Sequence, residues 1–154
     1  MDELNEFNQL LNNLLSTETE FRQKSEKIYE AIPLKDKIRL LFMAISDDTK
    51  SEETRHLAAI LMRRILFKST MEELSKDMDE NYFKQLKESI LALVQKDTIS
   101  MMLRKKICDI ISELVTKFID DDGNNHWPEL LNFMFTAANS SNLELKECSL
   151  IILK

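Results

Sequence analysis

A hydrophobic residue returns every three to four positions through nearly the whole chain, and one glycine and two prolines in 154 residues do little to interrupt it. That period is the mark of a helix with one apolar stripe. Hairpin turns draw on glycine at positions of positive φ, and a chain with a single glycine is poorly equipped to build them. The commonest residues (Leu, Glu, Lys and Ile) are mostly strong helix formers. With 44% hydrophobic residues there is enough apolar surface for a core, in one ordinary domain or a few stacked repeat units. The expectation is an all-α protein.

Leu4, Phe7, Leu10, Leu11, Leu14 and Leu15 form a first stripe and predict a helix over 2–15. Phe21, Ser25, Ile28, Tyr29 and Ile32 form a second, stopped by Pro33. A third helix spans 34–46, with Leu34, Ile38, Leu41, Phe42 and Ile45 inward. Thr49 and Glu52 have capping-box spacing and open a fourth, whose stripe is Leu57, Ala58, Ile60, Leu61 and Ile65 and which ends near Lys68. Residues 69–79 are polar and acidic and read as a connection. A fifth helix covers about 80–96 and a sixth runs from Ser100 to Phe118. Asp120, Asp121, Asp122, Gly123 and Asn124 are the strongest turn signal. Pro128 suits the first position of a seventh helix, over 127–138. Ser141 and Glu144 suggest another capping box, opening an eighth helix near Asn142 that is still running at Lys154.

Eight helices make four antiparallel pairs, here 2–32, 34–68, 79–119 and 127–154, within a single domain over 1–154. Their intervals bracket the roughly 40–47-residue period of HEAT-type repeats. The eighth helix stops in mid-stripe, without a cap, at Leu150, Ile151, Ile152, Leu153 and Lys154. Stacked repeats need a polar cap at a true terminus. The expected fold is therefore a right-handed HEAT-repeat α-α superhelix (a solenoid) with its last repeat truncated.

Acidic residues (27) exceed basic ones (21), a net charge of −6. Phosphate backbones call for a basic surface, so nucleic acid is not expected as the main partner. Cys108 and Cys148 lie in apolar helical patterns without Cys or His at metal-ligand spacing, and are expected as reduced, mostly buried thiols. The first residues, Met-Asp-Glu-Leu-Asn-Glu-Phe, lack the basic flank and apolar stretch of a signal peptide. No apolar run approaches the roughly 18 residues of a membrane span. A soluble, intracellular protein is expected.

Two stretches carry a resemblance. Arg22, Gln23, Lys24, Ser25 and Glu26, followed by the run from Arg55 through His56, Leu57, Ala58, Ala59, Ile60, Leu61, Met62, Arg63 and Arg64 to Ile65, resemble the N-terminal domain of the importin-beta family of nuclear transport receptors. That family has an Arg and a small-residue–Glu pair on the second helix of its first repeat. An Arg-x-x-Ala-Ala-x-x-Leu-Arg/Lys run lies on the second helix of the next. Leu103 through Asp109 and Asp120 through Glu129 resemble the third-to-fourth repeat junction of the family's karyopherin beta-3 (importin five) branch. Residues 69–79 depart from the pattern.

The resemblance implies a nuclear import receptor whose N-terminal repeats bind Ran-GTP on their inner face. Protein cargo and phenylalanine-glycine nucleoporins would be bound through the full-length receptor, which would move between cytoplasm and nucleus through the pore. It implies Arg55, Arg63, Arg64 and Glu26 as Ran-contacting residues, with the family's basic position falling on Arg63 or Arg64. Guanidinium groups suit that work, since they meet carboxylates in a forked geometry and also stack. Arg55, Met62, Arg63 and Arg64 are expected partly outside the core stripe. A HEAT scaffold unrelated to transport remains the alternative.

Other chemistry finds little footing. A calcium loop over the acidic run would place Phe118 at its first ligand position, so the run is read as a repeat-connecting turn with Gly123 as a C-cap. Trp127 is expected as a wedge between repeats. Arg104, Lys105 and Lys106 read as a solvated helix face, with Asp109 as a partner. His56 and His126 have no nucleophile at recognisable spacing and there is no glycine-rich phosphate loop, so neither an enzyme nor a cofactor is expected.

Overall fold

The computed structural model describes residues 2–76, 78–118 and 127–153. Among these residues the regular structure is entirely helical: α1 (Asp2–Leu14), α2 (Thr19–Glu30), α3 (Leu34–Ser46), α4 (Glu52–Lys68), α5 (Met71–Ser75), α6 (Glu80–Val94), α7 (Met101–Phe118), α8 (Pro128–Ala138) and α9 (Leu143–Leu153). Eight of the nine answer to the expected helices. The acidic run 119–126, with its Gly123 cap, and His126 lie outside the described residues.

The chain packs as two compact units, Met1–Met62 and Arg63–Lys154, with the division falling inside α4. In the first, α1 packs on α2 and α3. Its core holds Phe7, Leu10 and Leu11 from α1, Ile38, Leu40, Leu41, Ala44 and Ile45 from α3, and Ala58, Ala59, Leu61 and Met62 from α4. In the second unit α7 packs on α6 and α9, and α8 on α9.

The additional helix, α5, lies within the stretch expected to be a polar connection. Thr70 Oγ1 accepts from the Glu73 backbone N–H at 3.1 Å, filling one of the donor positions a helix start leaves open. Leu74 and, just beyond the helix, Met78 are buried. Two apolar anchors were enough to fold a segment whose average composition is polar.

Two caps are shifted from the expected residue. Ser51, not Thr49, caps α4: its hydroxyl accepts from Thr54 N–H at 3.2 Å. Thr49 instead donates its N–H and hydroxyl to Asp47 Oδ1, at 3.0 and 2.5 Å, and tightens the turn before the helix. At α9, Asn142 Oδ1 accepts from Glu144 N–H at 2.9 Å, so Asn142 takes the place expected for Ser141. Elsewhere Asp79 caps α6 and Pro128 occupies the first turn of α8. Trp127, at the N-cap of α8, is buried.

Two stripes are also rotated. On α2 only Ser25 is buried, while Phe21 and Ile28 are exposed. The small Ser25, its hydroxyl donating to the Phe21 carbonyl at 3.0 Å, leaves room for α1 to approach. On α4 the buried line is Thr54, Arg55, Ala58, Leu61, Met62 and Leu66, and Ile60 faces out. Apolar residues fill every direction around the helix from Leu57 to Met62, so periodicity alone does not fix its rotation.

Candidate partner-binding surface

What fixes α4 is Arg55. It is 4% exposed, and its Nε donates to the Ile45 carbonyl at 2.8 Å. Ile45 lies in the last turn of α3, where carbonyls have no partner within the helix. Arg55 was expected outside the core, and the structure buries it because that carbonyl must be satisfied away from water.

The second unit repeats the device. Arg104, the fourth residue of α7, is 2% exposed. Its Nη2 donates to the Lys96 carbonyl just past α6, and its Nη1 meets Glu144 Oε2 on α9 at 2.7 Å. In both units the first turn of a helix supplies an arginine to the carbonyls that end the preceding one. The solvated basic face expected at 104–106 is therefore corrected. Arg104 is interior, and Lys105 reaches Glu147 on α9 at 3.7 Å rather than Asp109.

With Arg104 committed to the interior, the arginines on the surface in the second half of α4 are Arg63 and Arg64, followed by Lys68 in its last turn. Both arginines are exposed, and with Phe67, three to four residues further on, they share one side of the helix. Phe67 is 70% exposed, a large aromatic ring left in solvent. Arg63 Nε lies 3.7 Å from Glu113 Oε1 on α7, a loose pair. Arg64 has no ion-pair partner among the described residues. Two guanidinium groups beside an aromatic ring are the chemistry that interface hot spots favour. Sequence reasoning gave Arg63 and Arg64 and missed Phe67, although its position four residues after Arg63 was a usable signal.

In the first unit, Glu26 on α2 is exposed and pairs with Arg22 one turn back at 3.9 Å. An exposed pair of that length contributes little to stability, so both groups can be redirected to a partner at small cost. The second unit also has a concavity of about 1090 Å³ along α6, walled by Met78, Phe83, Leu91 and Trp127. Its rim alternates Lys84 and Lys87 with Glu80 and Glu88, so it favours neither sign of charge. Among the described residues no helix is long and apolar enough to cross a membrane.

Comparison with known proteins follows the same lines. Residues 99–154 match the family described as IPO5-like, TPR repeats. The fold matches a crystal structure of yeast Kap121p bound to RanGTP with a TM-score of 0.79, at 22% identity, covering 99% of this chain and 14% of that one. It matches Kap121p bound to Nup53p with a TM-score of 0.78 at 21% identity, again covering 99% and 14%. Yeast importin-beta (Kap95p) gives 0.77 at 21% identity, covering 97% of this chain and 18% of that one. The chain thus spans about a seventh of the Kap121p length it resembles. Within it, α7 and α9 meet through Arg104 and Glu144, forty residues apart, a spacing nearer the HEAT period than the roughly 34 residues of a tetratricopeptide unit. The described residues have the all-helical HEAT-repeat fold seen in the karyopherins, and residues 99–154 match IPO5-like repeats.

Proposed function

We propose that this chain is the N-terminal, Ran-GTP-binding part of a nuclear import receptor, a binding module rather than an enzyme. The observation that supports the reading most is the match, over 99% of its length, to Kap121p crystallised with RanGTP. Arg63 and Arg64 make the charged contacts, and Phe67 adds apolar area beside them. Glu26 offers a carboxylate from the first unit. Arg55 acts from beneath, holding the start of α4 against the end of α3 through the Ile45 carbonyl. Protein cargo and phenylalanine-glycine nucleoporins are bound by the full-length receptor, which shuttles between cytoplasm and nucleus. The four-repeat division at 2–32, 34–68, 79–119 and 127–154 is part of the same proposal.

The test is a titration of the chain against Ran loaded with a non-hydrolysable GTP analogue and, in parallel, with GDP. A preference for the GTP form is expected. Arg64→Glu weakens it by about tenfold or more, as loss of a well-placed interface arginine does. Unchanged affinity in a variant with wild-type circular dichroism rejects the assignment of Arg64. Failure to bind either form, persisting when the chain is extended by several repeats, favours a HEAT scaffold unrelated to transport.

A further inference from the structure

α7 and α9 lie side by side in register. Arg104 meets Glu144 at 2.7 Å, Lys105 meets Glu147 at 3.7 Å, and Ser112 Oγ reaches the Ile151 carbonyl at 3.4 Å. Cys108 stands one turn after Arg104 and one before Ser112. Cys148 stands one turn after Glu144 and just before Ile151. The two thiols therefore form the middle rung of this ladder. Both are unoxidised, 0% and 1% exposed, and close enough to influence each other's ionisation. A core needs only two small apolar groups at such a rung, and the ion pairs on one side and the hydrogen bond on the other already set the register.

We propose that Cys108 and Cys148 are a redox site, at which a hydroperoxide converts the facing thiols into a disulfide that joins α7 to α9. Cys148 is the attacking sulfur. The hydrogen bond from Cys108 holds its thiol below the ordinary range, the Arg104 guanidinium adds to this, and burial and the Glu144 and Glu147 carboxylates oppose it. Cys108 keeps its proton, its thiol raised first by that hydrogen bond and then by burial, with Asp109 adding to the effect and Arg104 opposing it. The Cys148 thiolate takes the terminal hydroxyl oxygen of the peroxide, becoming a sulfenic acid and releasing the peroxide's other oxygen as an anion, which the proton shed by Cys148 neutralises. The Cys108 sulfur then attacks the Cys148 sulfur. An S–S bond forms, the S–O bond breaks, and the leaving hydroxide takes the Cys108 proton. Two thiols and one hydroperoxide give one disulfide, water and the reduced peroxide. Because both sulfurs are buried, the oxidant enters only during local opening of the α7–α9 seam, and the step is slower than at an exposed thiolate.

The experiment treats the chain with hydrogen peroxide, denatures it in excess alkylating agent and maps the cysteine peptides by mass. Oxidation of exposed Met102 serves as the internal control for peroxide activity. The expected result is a Cys108–Cys148 linked peptide, absent after dithiothreitol, in a protein still monomeric by size. Closing a loop of this length raises the melting temperature by roughly 10 °C. Both cysteines fully alkylated while Met102 is oxidised overturns the proposal, as does a disulfide between chains or a sulfinic acid on one cysteine with the other free. The mapping uses the unmodified chain, so its outcome does not depend on a variant folding.

Discussion

Truncating Arg104 would test whether a buried arginine ties these repeats together. Its side chain is 2% exposed, and it serves both the Lys96 carbonyl and the Glu144 carboxylate. Arg104→Ala leaves the carbonyl without its donor, at about 1–2 kcal/mol. It also unpairs Glu144, whose side chain is 38% exposed and partly rehydrates, so that loss is about 1 kcal/mol rather than the full cost of breaking a buried pair. The vacated stem leaves a cavity costing about 1 kcal/mol more, which brings the total to about 3–4 kcal/mol. Arg104→Met refills the stem and costs about 2–3 kcal/mol, and Glu144→Gln, which keeps an acceptor, about 1 kcal/mol. Urea unfolding followed by circular dichroism gives each value, and a double-mutant cycle across Arg104 and Glu144 gives a coupling of about 1 kcal/mol. An Arg104→Ala loss below about 0.5 kcal/mol at unchanged m, or a Glu144→Gln loss exceeding it, refutes the reasoning.

Further outcomes follow from the caps and the turn before α4. Ser51→Ala destabilises the chain by about 1 kcal/mol by urea unfolding, and Thr70→Ala costs about as much but shows mainly as faster amide exchange in α5, which is held by one cap and few anchors. Thr49→Ala does not remove the α4 cap, so it leaves exchange at Thr54 N–H unchanged, whereas Ser51→Ala accelerates it. Asp47 has its carboxyl held below its ordinary value of 3.8 chiefly by the Thr49 hydroxyl and further by the Thr49 amide, against the opposing effect of burial. Its contribution is whole above the unfolded pKa and is lost as pH falls through the lower folded value. An acid titration of stability should therefore lose part of its slope below pH 3.8 in Asp47→Asn, and identical profiles would count against the turn.

The helices were legible because a stripe needs only residue type and spacing. Leu34–Ser46 matches its expected span, and the other seven differ at their ends by one or two residues in most cases. Two matters were not legible, each for a physical reason. A five-residue helix has too few positions to show a period, so α5 could be found only through Thr70 and Glu73 at capping-box spacing, a signal that the acidic composition of 69–79 concealed. Cap identity was ambiguous wherever several capping residues are adjacent. Asp47, Thr49 and Ser51 can each accept a backbone N–H, and the choice depends on the angle at which the chain enters α4.

The arginines mark the deeper boundary. Arg55, Arg63, Arg64 and Arg104 are the same residue type on amphipathic helices, and charge argues for placing all of them in water. The structure divides them by their distance from the carbonyls of the preceding helix. Arg55 and Arg104 both stand in the first turn, close enough to serve those carbonyls, and are buried. Arg63 and Arg64 come two to three turns later, where the helix interior satisfies its own backbone, and are exposed. An arginine in the first turn of the second helix of a pair is thus a structural residue before it is a binding one. If the rule holds, reversing the charge at Arg64 alters partner affinity without moving the urea midpoint, while Arg55→Ala, which orphans the Ile45 carbonyl, costs about 2 kcal/mol of stability whether or not a partner is present. A shift in the midpoint from Arg64→Glu as large as that from Arg55→Ala would mean that the position of an arginine along the helix does not separate the two roles.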